Sequence, residues 1–264
     1  MRLTRLLAFG MAAIAWAAPP PEEARKHFER ARQLYEEHDD SGDAAVEAEI
    51  EFRLALSRDP RFAPAIAYLG FLADDHQQAQ PAEAYYRRAL EIDNRCAEAR
   101  VGLARIEMRA GRVTNALREL RQAVADSPTN TLALAELAFT LTTEAARPTS
   151  EMWEESIRSW QVLVGLDRDD RDSHHQLAKA LEHQGRWFEA ETHYREVLRI
   201  GQTDKDSDVW VYSVHGNVAQ MLERQEKYAD AIREYEALLT SDGVGDEEIK
   251  NARTRIAALK PQKR

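Results

Sequence analysis

Four side chains near residue 180 are of the types that bind zinc: His174, His175, Glu182 and His183. His175 and His183 are two helical turns apart on one face, a separation of about 12 Å at about 1.5 Å per residue. Zinc ligands lie about 2 Å from the metal, so this pair cannot share one ion unless another helix supplies ligands between them. We therefore predict no metal site here, with a zinc site that includes a second helix as the alternative.

Alternating aspartates farther along the chain have the spacing of calcium ligands. Asp204, Asp206 and Asp208 are placed as the first three ligands of a calcium-binding loop are. Such a loop also needs a turn glycine and a closing glutamate, but Val209 and His215 occupy those two positions. We predict a solvated acidic loop without calcium.

Motifs for catalysis are missing from the sequence. Cys96 is the sole cysteine, so it cannot form an internal disulfide, and no adjacent base indicates an activated thiol. The chain has no glycine-rich phosphate loop, no His-Glu-x-x-His, no paired cysteines and no Gly-x-Ser-x-Gly. We predict that Cys96 is half-buried at a junction between repeats, and that the protein has no cofactor and is not an enzyme.

The elements that would position these side chains recur along the chain with a fixed period. In residues 97–130 the apolar positions fall three and four apart, as on one face of a helix, with breaks at Gly111 and Pro128. This pattern predicts a helix, a turn and a second helix. Ala104, Ala116, Leu120, Ala123 and Pro128 have counterparts one period earlier in Gly70, Ala82, Tyr86, Ala89 and Asn94.

This unit resembles the tetratricopeptide repeat, which has the same period of about 34 residues and two helices per unit. The resemblance implies an all-α fold, a right-handed superhelical α-solenoid of about six helix-turn-helix repeats with a C-terminal capping helix. The predicted solenoid spans residues 22–260. Its repeats are about 22–60, 61–96, 97–130, 131–170, 171–204 and 212–245, and the cap is 246–260. A small residue is predicted at each helix crossing: Gly70, Ala104, Ala138, Ala178 and Ala219.

Extra residues interrupt the period at three places. Residues 38–43 lengthen the turn of the first repeat, and six extra residues at 144–150 separate the helices of the fourth. Ser150 is the expected N-cap after that second insertion. Seven extra residues at and around 203–208 precede the sixth repeat.

The first residues of the chain read as an export signal. Arg2 and Arg5 precede an apolar run from Leu6 to Ala17, and small residues stand at the end of that run. We predict a signal peptide at 1–17, a proline-rich spacer at 18–21, and a mature protein in a bacterial periplasm or outside the cell. An uncleaved N-terminal membrane anchor is the alternative, although the run is too short to span a bilayer of about 30 Å.

The net charge argues against a nucleic-acid partner. The formal charge of −10 becomes about −12 once the leader's two arginines are removed. Phosphate binding needs a basic face, so we predict no nucleic-acid binding.

The resemblance implies a concave groove lined by the first helices. The side chains predicted to line it are Tyr68, Phe71, Arg105, Met108, Arg109, Glu136, Phe139, His175, Lys179, Glu182, Asn217, Gln220 and Arg224. The groove is then aromatic at its start and polar at its end. For Tyr68, Phe71 and Phe139, packing between repeats is an equal alternative. One branch of the family grips a terminal carboxylate with Lys and Asn, but Ala67 and Phe71 stand at those places, so that activity is not expected.

These features predict an exported, non-enzymatic scaffold that binds an extended peptide segment or another protein along its groove. An architectural or oligomerisation module, with the groove filled by its own chain or by a second copy, is the alternative. A metal-binding or enzymatic repeat protein is the third possibility, and it needs a site that the sequence does not show.

Overall fold

The computed structural model describes residues 20–36, 43–144, 148–203, 210–241 and 244–260. The predicted leader and calcium-like aspartates lie outside these residues. The described α-helices are, in chain order, α1 (Glu22–Glu36), α2 (Asp43–Arg58), α3 (Ala63–Asp75), α4 (Ala79–Ile92), α5 (Ala97–Arg109), α6 (Val113–Asp126), α7 (Thr131–Phe139), α8 (Ser150–Leu166), α9 (Arg171–His183), α10 (Trp187–Thr203), α11 (Trp210–Arg224), α12 (Tyr228–Thr240) and α13 (Asp246–Leu259).

The helices pack as consecutive hairpins, from α1 with α2 to α11 with α12. Each second helix also packs on the first helix of the next pair, and α13 packs on α12 as the first helix of a further pair would. This arrangement confirms the all-α solenoid. No helix in the described part of the chain combines the length and apolar character needed to cross a membrane.

The residues that recur from one repeat to the next form the core. Ala82, Tyr86 and Ala89 on α4 are buried, as are their counterparts Ala116, Leu120 and Ala123 on α6. The small residues predicted at helix crossings are also buried. The periodic side chains therefore hold each hairpin together, and the small ones let neighbouring helices approach closely.

The turn inside a hairpin requires a left-handed backbone at one position. Gly111 and Gly185 have φ of 72° at this position, which glycine adopts without a side-chain clash. The corresponding residues of two other hairpins, Gln77 and Glu226, have φ of 60° and 61°. The prediction that Gly111 interrupts the helical pattern is confirmed, and the same turn forms where the sequence has no glycine.

Tyr86 is held between two glycines of successive first helices. A Cβ atom at Gly70 would lie 2.5 Å from Tyr86 Cε1, and one at Gly102 would overlap the same ring. Tyr86 is fully buried, so its ring cannot move aside into solvent. Close packing of α3, α4 and α5 therefore depends on the absence of a side chain at both glycines.

The hydroxyl of this tyrosine differs from those of its counterparts. Tyr194 donates a hydrogen bond to Glu182 Oε2 over 2.8 Å, and Tyr235 donates to Glu223 Oε1 over 2.7 Å. Both carboxylates lie 12 residues before the tyrosine. At that position Tyr86 has Asp74, which is one methylene shorter, and its buried hydroxyl has no hydrogen-bond partner among the described residues.

Lengthening this carboxylate is expected to stabilise the protein. Asp74→Glu should allow Tyr86 to donate a hydrogen bond, which would raise the free energy of unfolding by about 1 kcal/mol. Glu223 shows that one glutamate can accept from both a tyrosine and an arginine, since Arg255 Nε also donates to it over 3.0 Å. Urea denaturation measures the change. The gain should vanish when Asp74→Glu is made together with Tyr86→Phe, and an equal gain in that double variant would contradict the explanation.

The fourth hairpin contains a local irregularity. After α7 the chain makes a π-helical turn, Thr140–Glu144, and the next described residues are Pro148 and Thr149. The side chain of Thr149 accepts a hydrogen bond from Met152 N, so Thr149 is the N-cap of α8. The prediction of Ser150 as the cap was wrong by one residue, because either hydroxyl type can cap a helix and Ser150 is already helical.

The apolar core consists of two clusters that meet at α7. Ala133, Leu137 and Leu141 belong to the cluster that runs from α1 to this region. Leu134 and Ala138 belong to the cluster that continues to α13. The short helix α7 therefore packs into both halves of the solenoid.

Candidate functional site

The first helices of successive hairpins lie side by side, and we call the surface that they share the first-helix face. On it α3 contacts α5, and α5 contacts α7. An opening of about 330 Å³ here, the N-terminal pocket, is formed mainly by α1, α3, α5 and α7. Its lining is Phe28, Arg32, Tyr35, Glu36, Tyr68, Phe71, Glu98, Arg105, Asn130, Thr131, Leu132, Ala135, Leu163, Asp170 and Ser173.

The aromatic rings of this pocket pack on one another as part of the core. Tyr68 and Phe71 are 7% and 1% exposed, and their ring centroids are 5.3 Å apart. Phe71 also stacks on Tyr35 and contacts Tyr86. Of the two alternatives for Phe71, the structure favours packing between repeats, and only the edges of this aromatic cluster are available to a ligand.

Arg105 and Arg109, two of the side chains predicted to line the groove, each pair with a carboxylate of the same chain. Arg105 Nε donates to Glu136 Oε1 over 2.8 Å, and its guanidinium lies 5.0 Å from the centre of the Phe71 ring. Arg109 makes two hydrogen bonds to Asp74, of 2.7 and 2.6 Å. These ion pairs link neighbouring first helices, so they reduce the free positive charge on the first-helix face.

Phe139 differs from the other predicted aromatic residues. It ends α7 with 48% of its surface exposed, so it is not a core residue. Met108 is half-buried and packs against the first core cluster. Lys179 lies on the exposed side of α9 and Glu182 accepts the Tyr194 hydrogen bond. The predicted residues of the middle hairpins therefore differ in their exposure and in their contacts.

A second opening lies at the other end of the first-helix face. This C-terminal cleft, of about 960 Å³, separates α11 from α13 and has α12 at its base. It brings together three predicted residues, Asn217, Gln220 and Arg224, on the α11 side. Asn251, Thr254 and Arg255 line the α13 side, and Tyr235 and Leu238 contribute from α12.

Polar contacts organise the walls of the C-terminal cleft. Glu223 joins its two sides, since it accepts hydrogen bonds from Tyr235 on α12 and from Arg255 on α13. The Arg224 guanidinium lies 5.3 Å from the centre of the Trp187 ring, which holds it at the edge of the cleft. Gln220, Asn251 and Thr254 are exposed, so their amide and hydroxyl groups can reach a ligand.

The four side chains considered for zinc do not come together as one cluster. His174 Nδ1 faces His193 Nδ1 at 3.0 Å, and His183 stacks on Trp153 with centroids 3.9 Å apart. His175 packs against Tyr194. Among the described residues, no three His, Cys, Asp or Glu side chains converge as metal ligands do.

The His174–His193 pair fixes the proton positions on both rings. His174 Nε2 lies 3.1 Å from the Arg168 carbonyl oxygen, which can only accept, so Nε2 carries the proton. In its neutral form His174 therefore presents an unprotonated Nδ1, which accepts from His193 Nδ1. Full protonation of both rings would turn two N–H groups towards each other and break this hydrogen bond.

Stability is expected to fall on mild acidification. Burial, followed by the charge of His174, lowers the pKa of His193, while burial and then Lys179 lower the pKa of His175. The unfolded chain therefore binds protons more readily, so stability is complete above the ordinary histidine pKa of about 6.5 and decreases as the pH drops through it. Thermal midpoints at pH 7.5 and 5.5 measure the loss, and His193→Gln should reduce it. An unchanged or higher midpoint at pH 5.5 would contradict this account.

Cys96 lies at a junction between repeats as predicted, but it is buried rather than half-buried, with 3% of its surface exposed. It is buried at the start of α5, where two hairpins meet. Burial, with a further contribution from Glu98, raises the pKa of its thiol. A thiol with a raised pKa forms little of the nucleophilic thiolate.

Several residues that line the N-terminal pocket and the C-terminal cleft were not predicted from the sequence. Phe28 and Tyr35 on α1 and Asn251 and Thr254 on α13 were treated only as parts of an ordinary first helix and a cap. The spacing of Phe28 and Tyr35, seven residues or two helical turns, was the available signal, since it places both rings on one face of α1.

Comparison with known families decides the classification. Two tetratricopeptide repeat models match the sequence, one over residues 71–135 and the other over residues 151–242, which together exceed half of the chain. The chain belongs to the tetratricopeptide repeat (TPR) family. This result confirms the resemblance drawn from the repeat period, and no curated protein matches the sequence significantly.

Solved TPR structures share this fold at low sequence identity. YrrB, a TPR protein with an unusual peptide-binding site, is 17% identical with a TM-score of 0.58, over 77% of this chain and 97% of its own. The type IV pilus biogenesis factor PilW is 14% identical with a TM-score of 0.58, over 88% and 99%. Pseudomonas aeruginosa PilF is 16% identical with a TM-score of 0.57, over 88% and 97%. At these identities the likeness is one of fold.

Proposed function

We propose that this TPR protein is an exported, non-enzymatic scaffold that binds an extended segment of a partner protein along its first-helix face. The observation that carries the proposal is the C-terminal cleft, which has hydrogen-bonding side chains on both walls. Asn217 and Gln220 stand on one wall, and Asn251 and Thr254 stand on the other. Its volume lies in the range of pockets that bind ligands, about 300–1,000 Å³.

The chemistry of these walls suits a peptide main chain. A carboxamide offers both a donor and an acceptor, and an extended peptide presents unpaired N–H and C=O groups on both sides. Because main-chain groups are the same in every sequence, such contacts supply affinity with little selectivity. Tyr235 and Leu238 at the base provide apolar surface for a side chain of the same segment.

The N-terminal pocket supports a second contact on the same face. Its volume of about 330 Å³ is bounded by aromatic edges and by Leu132 and Ala135. Such a pocket suits one large apolar side chain of the partner, and large apolar anchors dominate the affinity of many interfaces. In this proposal the C-terminal cleft binds the main chain of the partner, and the N-terminal pocket selects one of its side chains.

Crosslinking in the producing cell tests where the partner binds. A photoreactive phenylalanine analogue at Gln220 or Thr254 should capture the partner, whereas the same analogue at Gln122 should not. Gln122 is a matched control because it is exposed on α6, a second helix that does not line either opening. Equal capture from Gln122 and Gln220, or capture from none of them, would overturn the site.

Removal of the amides then tests the chemistry with the captured partner. Replacing Gln220 and Asn251 together with Ala is expected to weaken binding about tenfold, from two hydrogen bonds of about 0.5–1.5 kcal/mol each. The thermal midpoint should be unchanged, since both residues are exposed. Gln122→Ala serves as the control for both measurements.

Export is supported by the leader pattern and is tested separately. Protein recovered from the envelope or medium of the producing cell should have Ala18 as its first residue, as mass measurement would show. Intact Met1 in a soluble cytoplasmic fraction would overturn export without affecting the binding site.

A further inference from the structure

The hairpin of α9 and α10 joins its two helices through a pair of histidines. His174 on α9 and His193 on α10 face each other, with their Nδ1 atoms 3.0 Å apart. His174 is buried, with 5% of its surface exposed, and His193 is half-buried. The pair therefore lies between the two helices rather than on the open surface.

Three other hairpins have a complementary pair at the equivalent places. In each of them a nitrogen donor on the first helix faces a carboxylate on the second. These pairs, with separations of 3.0, 2.8 and 2.6 Å, are Arg100 with Glu119, His215 with Glu234, and His27 with Glu51. The hairpin of α9 and α10 departs from this pattern, because it brings together two imidazoles, and each imidazole can offer an unprotonated nitrogen.

The ring of His174 is oriented as the rings of metal-binding histidines are. Its Nε2 lies 3.1 Å from the Arg168 carbonyl oxygen, so Nε2 carries the proton and the lone pair of Nδ1 is directed at α10. Histidines that bind a metal usually donate their other ring N–H to a carbonyl or a carboxylate in this way. For His193 to bind as well, its proton moves from Nδ1 to Nε2, which is a change of tautomer that leaves the ring neutral.

The separation of the two nitrogens favours one coordination geometry. Two nitrogens 3.0 Å apart that each lie about 2.0–2.1 Å from a metal form an angle of about 95° at the ion. That angle is close to the right angle between neighbouring ligands of a square-planar Cu²⁺ or Ni²⁺ ion. A tetrahedral zinc ion needs a larger separation of about 3.3–3.4 Å. Tilting of both rings towards the same side would direct both lone pairs at one ion.

An opening gives access to the pair. It lies between α8, α9 and α10, has a volume of about 520 Å³ and is lined by both histidines, so it has room for an ion and its water ligands. Arg168 and Arg199 also line it. Arg199 donates hydrogen bonds to Glu196 over 2.6 Å and to Asp169 over 2.7 Å, so two carboxylates balance the two arginines. The charge around the opening therefore does not prevent a cation from entering.

We propose that His174 and His193 bind a divalent copper ion through their Nδ1 atoms, with water in the opening as the remaining ligands. Copper is chosen because imidazole suits it, because it binds nitrogen ligands most tightly among these divalent metals, and because the angle fits. Two protein ligands hold a metal less tightly than the three or four of dedicated sites, so the ion exchanges readily. The opening shares no residue with the N-terminal pocket or the C-terminal cleft, so the site does not depend on the proposed peptide binding.

Titration of copper into the metal-free, full mature chain tests the proposal. Isothermal titration calorimetry should show one ion bound per chain, and His193→Gln should weaken binding at least about tenfold. His215→Gln is the matched control, because it removes an imidazole from the equivalent place in the next hairpin, where the partner is Glu234. Its affinity for copper should equal that of the unmodified chain.

Electron paramagnetic resonance identifies the ligands without relying on a variant. The unmodified chain with less than one equivalent of Cu²⁺ should show coupling of the copper to two imidazole nitrogens, and His193→Gln should lose at least one of them. Thermal midpoints measured without metal show that the variants fold. Added copper should raise the midpoint of the unmodified chain more than that of His193→Gln, because a ligand of the native state stabilises it.

Specific results would overturn the proposal. A chain that binds no copper at submillimolar concentrations excludes the site. Equal affinities of His193→Gln and the unmodified chain would show an adventitious ion elsewhere on the molecule, as would an equal loss in His215→Gln. A spectrum without coupling to two nitrogens would exclude the histidine pair even if copper binds or if His193→Gln fails to fold.

Discussion

Gly102→Ala is expected to lower the free energy of unfolding by about 3 kcal/mol, at the upper end of the usual cost of overpacking. The new methyl group would overlap the Tyr86 ring, which is itself fully buried. The ring also lies against Gly70 on its other side, so it cannot shift in that direction. Relief therefore requires α5 to move away from α4, which would loosen packing in both neighbouring hairpins. Urea denaturation measures the loss.

The control for this prediction is a helical glycine with space around it. A Cβ atom at Gly165 in α8 would have no neighbour within 4 Å, so Gly165→Ala should leave stability unchanged or slightly raised. Tyr86→Leu combined with Gly102→Ala should lose less stability than the two single changes added together, because the smaller side chain removes the overlap. Similar losses from Gly102→Ala and Gly165→Ala would show that the Tyr86 contact is not the cause.

Phe71→Ala is expected to lower the free energy of unfolding by about 3–5 kcal/mol, since it removes a fully buried ring from the aromatic cluster. Partner binding should then change only as far as unfolding changes it. Phe139→Ala is the matched comparison, because this residue holds the same position in its repeat but is 48% exposed. Its stability should change by less than about 0.5 kcal/mol.

Measuring melting and binding on the same two variants separates packing from contact. If Phe139 touches the partner, Phe139→Ala should weaken binding at an unchanged thermal midpoint. An unchanged thermal midpoint in Phe71→Ala would show that the ring is not part of the core. Phe71 would then be a candidate for contact with the partner.

Local periodicity was enough to predict the architecture and much of the core. The repeat period identified Ala116, Leu120 and Ala123 as core residues of one helix, because each lies three or four residues from the next. Burial of a periodic face is a property of the helix itself. Burial of this face does not depend on the angle between one hairpin and the next, so the sequence alone can predict it.

The candidate site was harder to predict because its contacts join residues far apart in the chain. Arg105 meets Glu136 across 31 residues, and Arg109 meets Asp74 across 35. Periodicity places these residues on the correct helices, but it does not predict whether two side chains of opposite charge form an ion pair. The sequence therefore predicted both arginines on the groove without showing that their charges are paired.

Contacts outside the regular repeat spacing were also difficult to predict from the sequence. The ring of Phe28 on α1 packs against Tyr68 on α3, and the lengthened turn of the first hairpin takes this pair out of the regular repeat spacing. The cleft between α11 and α13 depends on the tilt of the last helix relative to the one before it. The amphipathic pattern of α13 predicts which face is buried but not that angle.

The division of the core at α7 bears on the order in which the chain can fold as it is synthesised. The buried residues of the first cluster have all been made once Leu141 has emerged, so we expect the N-terminal hairpins to bury most of their apolar residues while the rest of the chain is still being made. At that stage Leu134 and Ala138 on the far side of α7 lack the neighbours that cover them in the finished protein. We expect the later hairpins to dock on that uncovered side as they emerge.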